Sequence, residues 1–194
     1  ATGLAAGIAI GSVSVQSGSV TLDPTTNLTG VTQINVPEGA TLSLTAAQIQ
    51  QLNGAGTIVG VDANGDGTVG KYTVNITDLK QADIDHAIAF TGDTAGLSLA
   101  GITGGTGVNL PLVNVTLGQP TVTLGTFAAN GALTNQALMN TNTQFTLATG
   151  QTLELVNSTQ ADNLEVVKAT GATSTTLTLR FAAMDGADTQ INAA

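Results

Sequence analysis

The stretch Val113-Asn114-Val115-Thr116-Leu117, followed after Gly118-Gln119-Pro120 by Thr121-Val122-Thr123-Leu124, decides the fold class. Apolar and small polar residues trade places with period two. On a strand that period buries one face and wets the other. The same alternation recurs at Ile8–Val15, Ser19–Leu22, Ile34–Val36, Thr41–Leu44, Gln144–Leu147, Thr152–Leu155 and Thr176–Phe181. Gly, Asn, Pro or Asp stands in the breaks, as turns require. The expectation is an all-β single domain spanning residues 1–194, a β-sandwich or alternatively a β-solenoid, because both bury one face of many short strands. Two segments depart from the pattern. Thr45-Ala46-Ala47-Gln48 reads as a capping box, so a short helix is expected near 45–53. Asp78 as cap, with Leu79, Ala82, His86 and Phe90 at helical spacing, predicts a second helix over 78–90.

Composition narrows the class of function. Charged residues are 9% of the chain and aromatics 3%. Thr, Asn, Gln, Ser and Gly replace the Lys and Glu that wet most intracellular surfaces, which points to β-structure outside the cell. The net charge is −9, and only Lys71, Lys80, Lys168 and Arg180 are cationic. Clustered cations are what nucleic acid and anionic lipid need, so neither is expected as a partner. No stretch approaches the roughly 20 apolar residues of a membrane span. The chain has no cysteine, which excludes disulfides and thiolate metal sites. The N-terminal segment, apolar but without a basic start, reads as a processed end or the start of an excised piece rather than a signal peptide.

Asp62-Ala63-Asn64-Gly65-Asp66-Gly67 is the one segment with metal chemistry in its spacing. Side-chain oxygens stand at every second position and a glycine follows. Calcium takes six to eight oxygens from carboxylates, carbonyls and water. Asp62, Asn64 and Asp66 would supply side-chain oxygens and Thr68 its carbonyl. This much resembles the calcium loops of EF-hand and dockerin proteins over about a dozen residues. The resemblance then breaks, because Thr73 stands where an EF-hand has a bidentate Glu and a dockerin an Asp. Val74-Asn75-Ile76-Thr77-Asp78-Leu79 looks like a dockerin loop running into its helix, displaced by some residues, so Asp78 is the candidate closing carboxylate. The competing reading is an exposed turn, since Asn64-Gly65 is by itself a strong hairpin signal. Gly104–Leu112 resembles one degenerate copy of the repeats-in-toxin nonapeptide, and Asp185-Gly186-Ala187-Asp188 a short acidic turn. Both are better read as turns.

Four Asn-x-Thr sequons occur, at Asn27, Asn75, Asn114 and Asn157, barely more than this composition gives by chance. They are candidate sugar sites only where the source glycosylates exported proteins. An enzyme is not expected. His86 is the single histidine, no nucleophile elbow accompanies it, and it falls on the apolar stripe of the expected helix. Paired carboxylates could serve glycoside hydrolysis, but one Tyr and four Phe are too few to line a sugar cleft.

The composition resembles calcium-dependent bacterial surface adhesins and surface-layer proteins. That resemblance implies a structural subunit of an extracellular assembly, such as a fibre, biofilm matrix or surface layer, self-associating into a homo-polymer and stabilised by calcium. The alternative is an adhesin or binding module recognising a protein or glycan. Residues 1–15 are a possible donor strand for a neighbouring subunit, or an ordinary edge strand paired in its own chain, which is the favoured reading.

Overall fold

In the computed structural model the residues described are 10–52, 57–83, 89–91, 112–124, 126–127, 133–135, 143–155, 165–168 and 170–179. In chain order the strands are β1 (Ile10–Ser14), β2 (Ser19–Thr21), β3 (Val31–Pro37), β4 (Thr41–Thr45), β5 (Thr57–Val61), β6 (Thr73–Leu79), β7 (Ala89–Thr91), β8 (Leu112–Leu117), β9 (Thr121–Leu124), β10 (Thr126–Phe127), β11 (Leu133–Asn135), β12 (Thr143–Leu147), β13 (Thr152–Leu155), β14 (Glu165–Lys168) and β15 (Thr176–Leu179). They form a four-stranded sheet β1-β3-β5-β7, a six-stranded sheet β14-β12-β8-β6-β4-β2 and a three-stranded sheet β15-β13-β9, with β10 and β11 as a separate pair. Only that last pair is antiparallel among those described. Every pair in the three larger sheets is parallel.

The order explains how parallel strands connect. The chain adds a strand to the first sheet, turns a corner, adds one to the second, and comes back. Stacked partners are thus far apart in sequence, from 21 residues between Ser14 and Asn35 to 39 between Asn75 and Asn114. The sandwich expectation is not confirmed, because a sandwich pairs its strands antiparallel. The alternation is the same in either case; the partner's direction is not written in it.

The inward residues line up in columns. Leu44, Ile76, Val115 and Phe145 share one register position across four strands, and each is at most 1% exposed. Ile34 and Ile58 stack in the first sheet, and Val122 and Leu153 in the third. Burying each such side chain stabilises by about 1.5–3 kcal/mol before conformational entropy is set against it. Branched aliphatics suit these columns because like stacks on like.

Helix α1 (Ala46–Gln50) forms as expected. The Thr45 hydroxyl accepts the Gln48 N–H at 3.1 Å, and Gln48 Oε1 accepts the Thr45 N–H at 2.9 Å. The helix expected over 78–90 is not what the described part of that span forms. Leu79 ends β6, fully buried and in register with Leu117, and Asp78 has a φ of 61°. Residues Gln81–Asp83 make a single 3-10 turn, and 89–91 are β7. Strand pairing of β6 to β4 and β8, and of β7 to β5, overrides the helical spacing of Leu79, Ala82 and Phe90. His86 lies outside the described residues.

β1 sits at the edge of the first sheet and pairs with β3. Residues 1–9 lie outside the described residues.

Candidate functional site

The Asp62 loop occupies a corner between two sheets. One circuit earlier the same corner is tight: Pro37 ends β3, Gly39 takes a φ of 72°, and Ala40 tucks in at 2% exposure before β4. In the next circuit Glu38 N–H donates to Val61 O at 3.1 Å, and Gly39 N–H to Lys71 O at 2.8 Å. Val61 and Lys71 are thereby clamped to the tight corner, and everything between them is an insertion that leaves the stack and returns. Asn64-Gly65 therefore does not join a hairpin, since β5 and β6 belong to different sheets. Gly70 N–H donates to Glu38 Oε2 at 3.0 Å and closes the neck. Behind it Tyr72 is buried, its hydroxyl donating to Ile58 O at 3.3 Å. Burial pushes the Tyr72 phenol well above its ordinary pKa.

Inside the insertion the candidate ligands fold onto the loop's own backbone. Asp62 Oδ1 accepts the Gly65 N–H at 2.7 Å and Oδ2 the Gly67 N–H at 2.8 Å. Asn64 Oδ1 accepts the Asp66 N–H at 2.8 Å. Asp66 Oδ1 takes both the Thr68 hydroxyl at 2.5 Å and the Thr68 N–H at 2.8 Å, while Oδ2 takes Asn64 Nδ2 at 3.1 Å. The Thr68 hydroxyl first, then its N–H and Asn64, hold the Asp66 carboxyl below the usual range. Gly65 and Gly67, at φ 76° and 87°, make the curl feasible.

Asp62, Asn64, Asp66 and Thr68 are thus brought together, but Asp78 is not brought to them. It stands at the far end of β6, about 17 Å along the strand from Thr73 at 3.3 Å per residue. There its carboxylate pairs with Lys80 at 2.9 Å, an exposed pair that raises the lysine's pKa. It also fills the space a Cβ on Gly118 would need. Among the described residues no three His, Cys, Asp or Glu side chains cluster to hold a metal. The candidate set is two carboxylates, one amide and one carbonyl, each side-chain oxygen already accepting a hydrogen bond. Gly104–Pro111 and Asp185–Asp188 lie outside the described residues.

Two sets of polar residues carry more of the structure than their sequence suggests. Outside the second sheet, Asn75 Nδ2 donates to Ser43 Oγ at 3.0 Å, and Asn114 Nδ2 to Asn75 Oδ1 at 2.9 Å. A ladder of side chains repeats the backbone ladder beneath it. In the connections that leave strands of the second sheet, glutamines stitch circuit to circuit. Gln48 Nε2 donates to Asp23 O at 2.7 Å and Thr26 O at 3.2 Å. Gln51 Oε1 accepts the Leu28 N–H at 2.8 Å. Gln81 Nε2 donates to Thr123 O at 2.8 Å, and Gln151 Nε2 to Leu117 O at 3.0 Å. The buried Asp83 carboxylate accepts the Lys80 N–H at 2.9 Å and a short bond from Gln50. The signal for the ladder is in the sequence: Val74-Asn75-Ile76-Thr77 and Val113-Asn114-Val115-Thr116 are one phrase written twice.

A shallow hollow of about 310 Å³ lies between successive turns, lined by Leu117, Gly118, Pro120, Thr149 and Gln151. It gathers no titratable side chain. No helix among the described residues is long and apolar enough to cross a membrane. Comparison of the chain with protein-family profiles, curated proteins and solved structures finds no match.

Proposed function

We propose that this chain is a β-solenoid segment of an extracellular structural assembly, extended end to end by stacking the circuits of one copy on those of the next. The observation that carries the reading is the first circuit. Val13 shares a register position with Ile34 and Ile58, which are 2% and 0% exposed, yet Val13 is 36% exposed. β1 and β2 stand outermost in their sheets. Neither β1 nor β2 carries a charged residue. Protected edges carry lysine, proline, bulges or charges, and terminal repeats of stacked proteins carry a polar outer face. Here an apolar column and a strand edge continue uncovered among the described residues. Head-to-tail contacts of this kind generate an open filament. Calcium at Asp62, Asn64, Asp66 and Thr68 would stiffen the corner insertion, outside the stacking contact. An enzymatic role is not part of this reading.

The test is negative-stain microscopy and sedimentation of the purified chain, beside Val13→Lys, each with calcium and with a chelator. Filaments from the parent chain, and only monomers from Val13→Lys with an unchanged circular dichroism spectrum, are the expected result. Filaments that form equally well from the Val13→Lys variant refute the stacking. Indifference of the filaments and of the melting temperature to the chelator removes calcium and leaves the stacking standing. The outward insertion at Asp62–Gly70 favours a second reading, a module that presents this loop to a protein or glycan. A monodisperse chain with saturable ligand binding would decide for it.

A further inference from the structure

Three of the four sequons fall within the described residues, and the structure treats them very differently. Asn75 and Asn114 are strand residues, half-buried, in β6 and β8. Each strand is paired on both sides, β6 to β4 and β8, and β8 to β6 and β12. Both amide nitrogens are already donated, Asn75 Nδ2 to Ser43 Oγ and Asn114 Nδ2 to Asn75 Oδ1. Reaching either nitrogen requires breaking the side-chain ladder and peeling a central strand.

Asn27 is the opposite case. It is exposed, in the turn that leaves β2, and Thr29 beside it is exposed as well. Its Oδ1 accepts the Thr29 N–H at 2.9 Å, which folds the sequon onto itself. Its Nδ2 has no hydrogen-bond partner among the described residues. The residues on either side hold the turn in place. Leu28 is 5% exposed and donates its N–H to Gln51 Oε1 at 2.8 Å, and Thr26 O accepts from Gln48 at 3.2 Å. The backbone is pinned while the Asn27 side chain stands in solvent.

We propose that Asn27 is an asparagine-linked glycosylation site of the folded chain and that Asn75 and Asn114 are not. In the reaction Asn27 Nδ2 attacks the anomeric carbon of a sugar carried on a phosphate leaving group. The C–N bond forms and the anomeric C–O bond breaks. The phosphate carrier departs with the bonding electrons, and the amide proton passes to a base of the transferase. The co-reactants are that transferase and its phosphate-activated sugar.

The experiment treats the purified folded chain with a soluble asparagine-specific glycosyltransferase and nucleotide-activated glucose, then maps the sugar by peptide mass spectrometry. The denatured chain, in which all sequons are accessible, is the positive control. Asn27 should be occupied about tenfold or more above Asn75 and Asn114 in the folded chain, since modification at the ladder waits on local opening. The three should approach parity when denatured, and Asn27→Gln should lose the label at this position while keeping the parent's melting temperature. Labelling of Asn75 or Asn114 to the level of Asn27 in the folded chain overturns the proposal. So does an unlabelled Asn27 in a folded chain whose denatured form accepts sugar there.

Discussion

Tyr72 is the only tyrosine of a chain without tryptophan, so its ionisation can be watched without interference. It is 1% exposed, and burial raises its pKa above the ordinary value of about 10. The folded state therefore requires a neutral phenol, whereas the unfolded state gives up the proton from pH about 10. A group raised on folding stabilises fully below its unfolded pKa, and the contribution drains away as pH climbs toward the folded one. The slope is about 1.4 kcal/mol per pH unit. Between pH about 10 and about 12 the loss is thus about 3 kcal/mol, a large part of a typical 5–15 kcal/mol stability. The assay is urea unfolding at several alkaline pH values, with phenolate absorbance followed beside circular dichroism, for the parent and Tyr72→Phe. The parent should lose stability more steeply than the Phe variant above pH about 10, and phenolate should appear together with unfolding. At neutral pH the substitution should cost only about 1 kcal/mol, the hydrogen bond to Ile58 O. A phenol that titrates near 10 while the dichroism is unchanged would refute the burial of Tyr72 and, with it, the clamped corner.

Gly60→Ala should destabilise by about 1–3 kcal/mol, because its Cβ would lie 2.6 Å from Val69 Cγ1 and 2.7 Å from Tyr72 Cε1. A urea midpoint equal to the parent's would show that neither side chain packs there. Gln48→Ala leaves the Thr26 carbonyl and the Thr45 N–H without this partner, and the Asp23 carbonyl with only the Thr26 N–H. It should cost about 1–3 kcal/mol, more than the roughly 1 kcal/mol of losing the Thr45 cap alone. Equal melting temperatures for Gln48→Ala and Thr45→Ala would mean that the glutamine acts only as a cap and not as a staple between circuits.

Much of the strand pattern was legible because alternation is a local property. Val113–Leu117, Thr121–Leu124, Thr41–Leu44 and Thr152–Leu155 all stand in strands. The Thr45 capping box was legible for the same reason, since its two hydrogen bonds span three residues. Strand direction and partner were not, because parallel partners here are 21 to 39 residues apart at uneven spacing. No fixed period could betray them. Gly39-Ala40-Thr41-Leu42 and Gly150-Gln151-Thr152-Leu153 each turn a corner into a strand, β4 and β13. Both glycines have positive φ, at 72° and 78°, yet the strands they open belong to different sheets. The second helix failed because Leu79 suits a helical stripe and a strand column equally well. At the candidate loop, the clustering of Asp62, Asn64 and Asp66 followed from spacing alone. Asp78 was misplaced because its position depends on where β6 runs, which only the pairing with β4 and β8 determines.

The clamp at Val61 and Lys71 has a consequence for engineering. Two bonds from Glu38 and Gly39 hold the ends of the segment 62–70 at a fixed separation, and most of its own hydrogen bonds are internal. Closing a longer loop across the same anchor points costs only about 0.6 kcal/mol for each doubling of length. The corner is thus a cassette: a foreign epitope or peptide tag can be spliced between Val61 and Lys71 and displayed at the corner between the first and second sheets while the strands on either side keep their register.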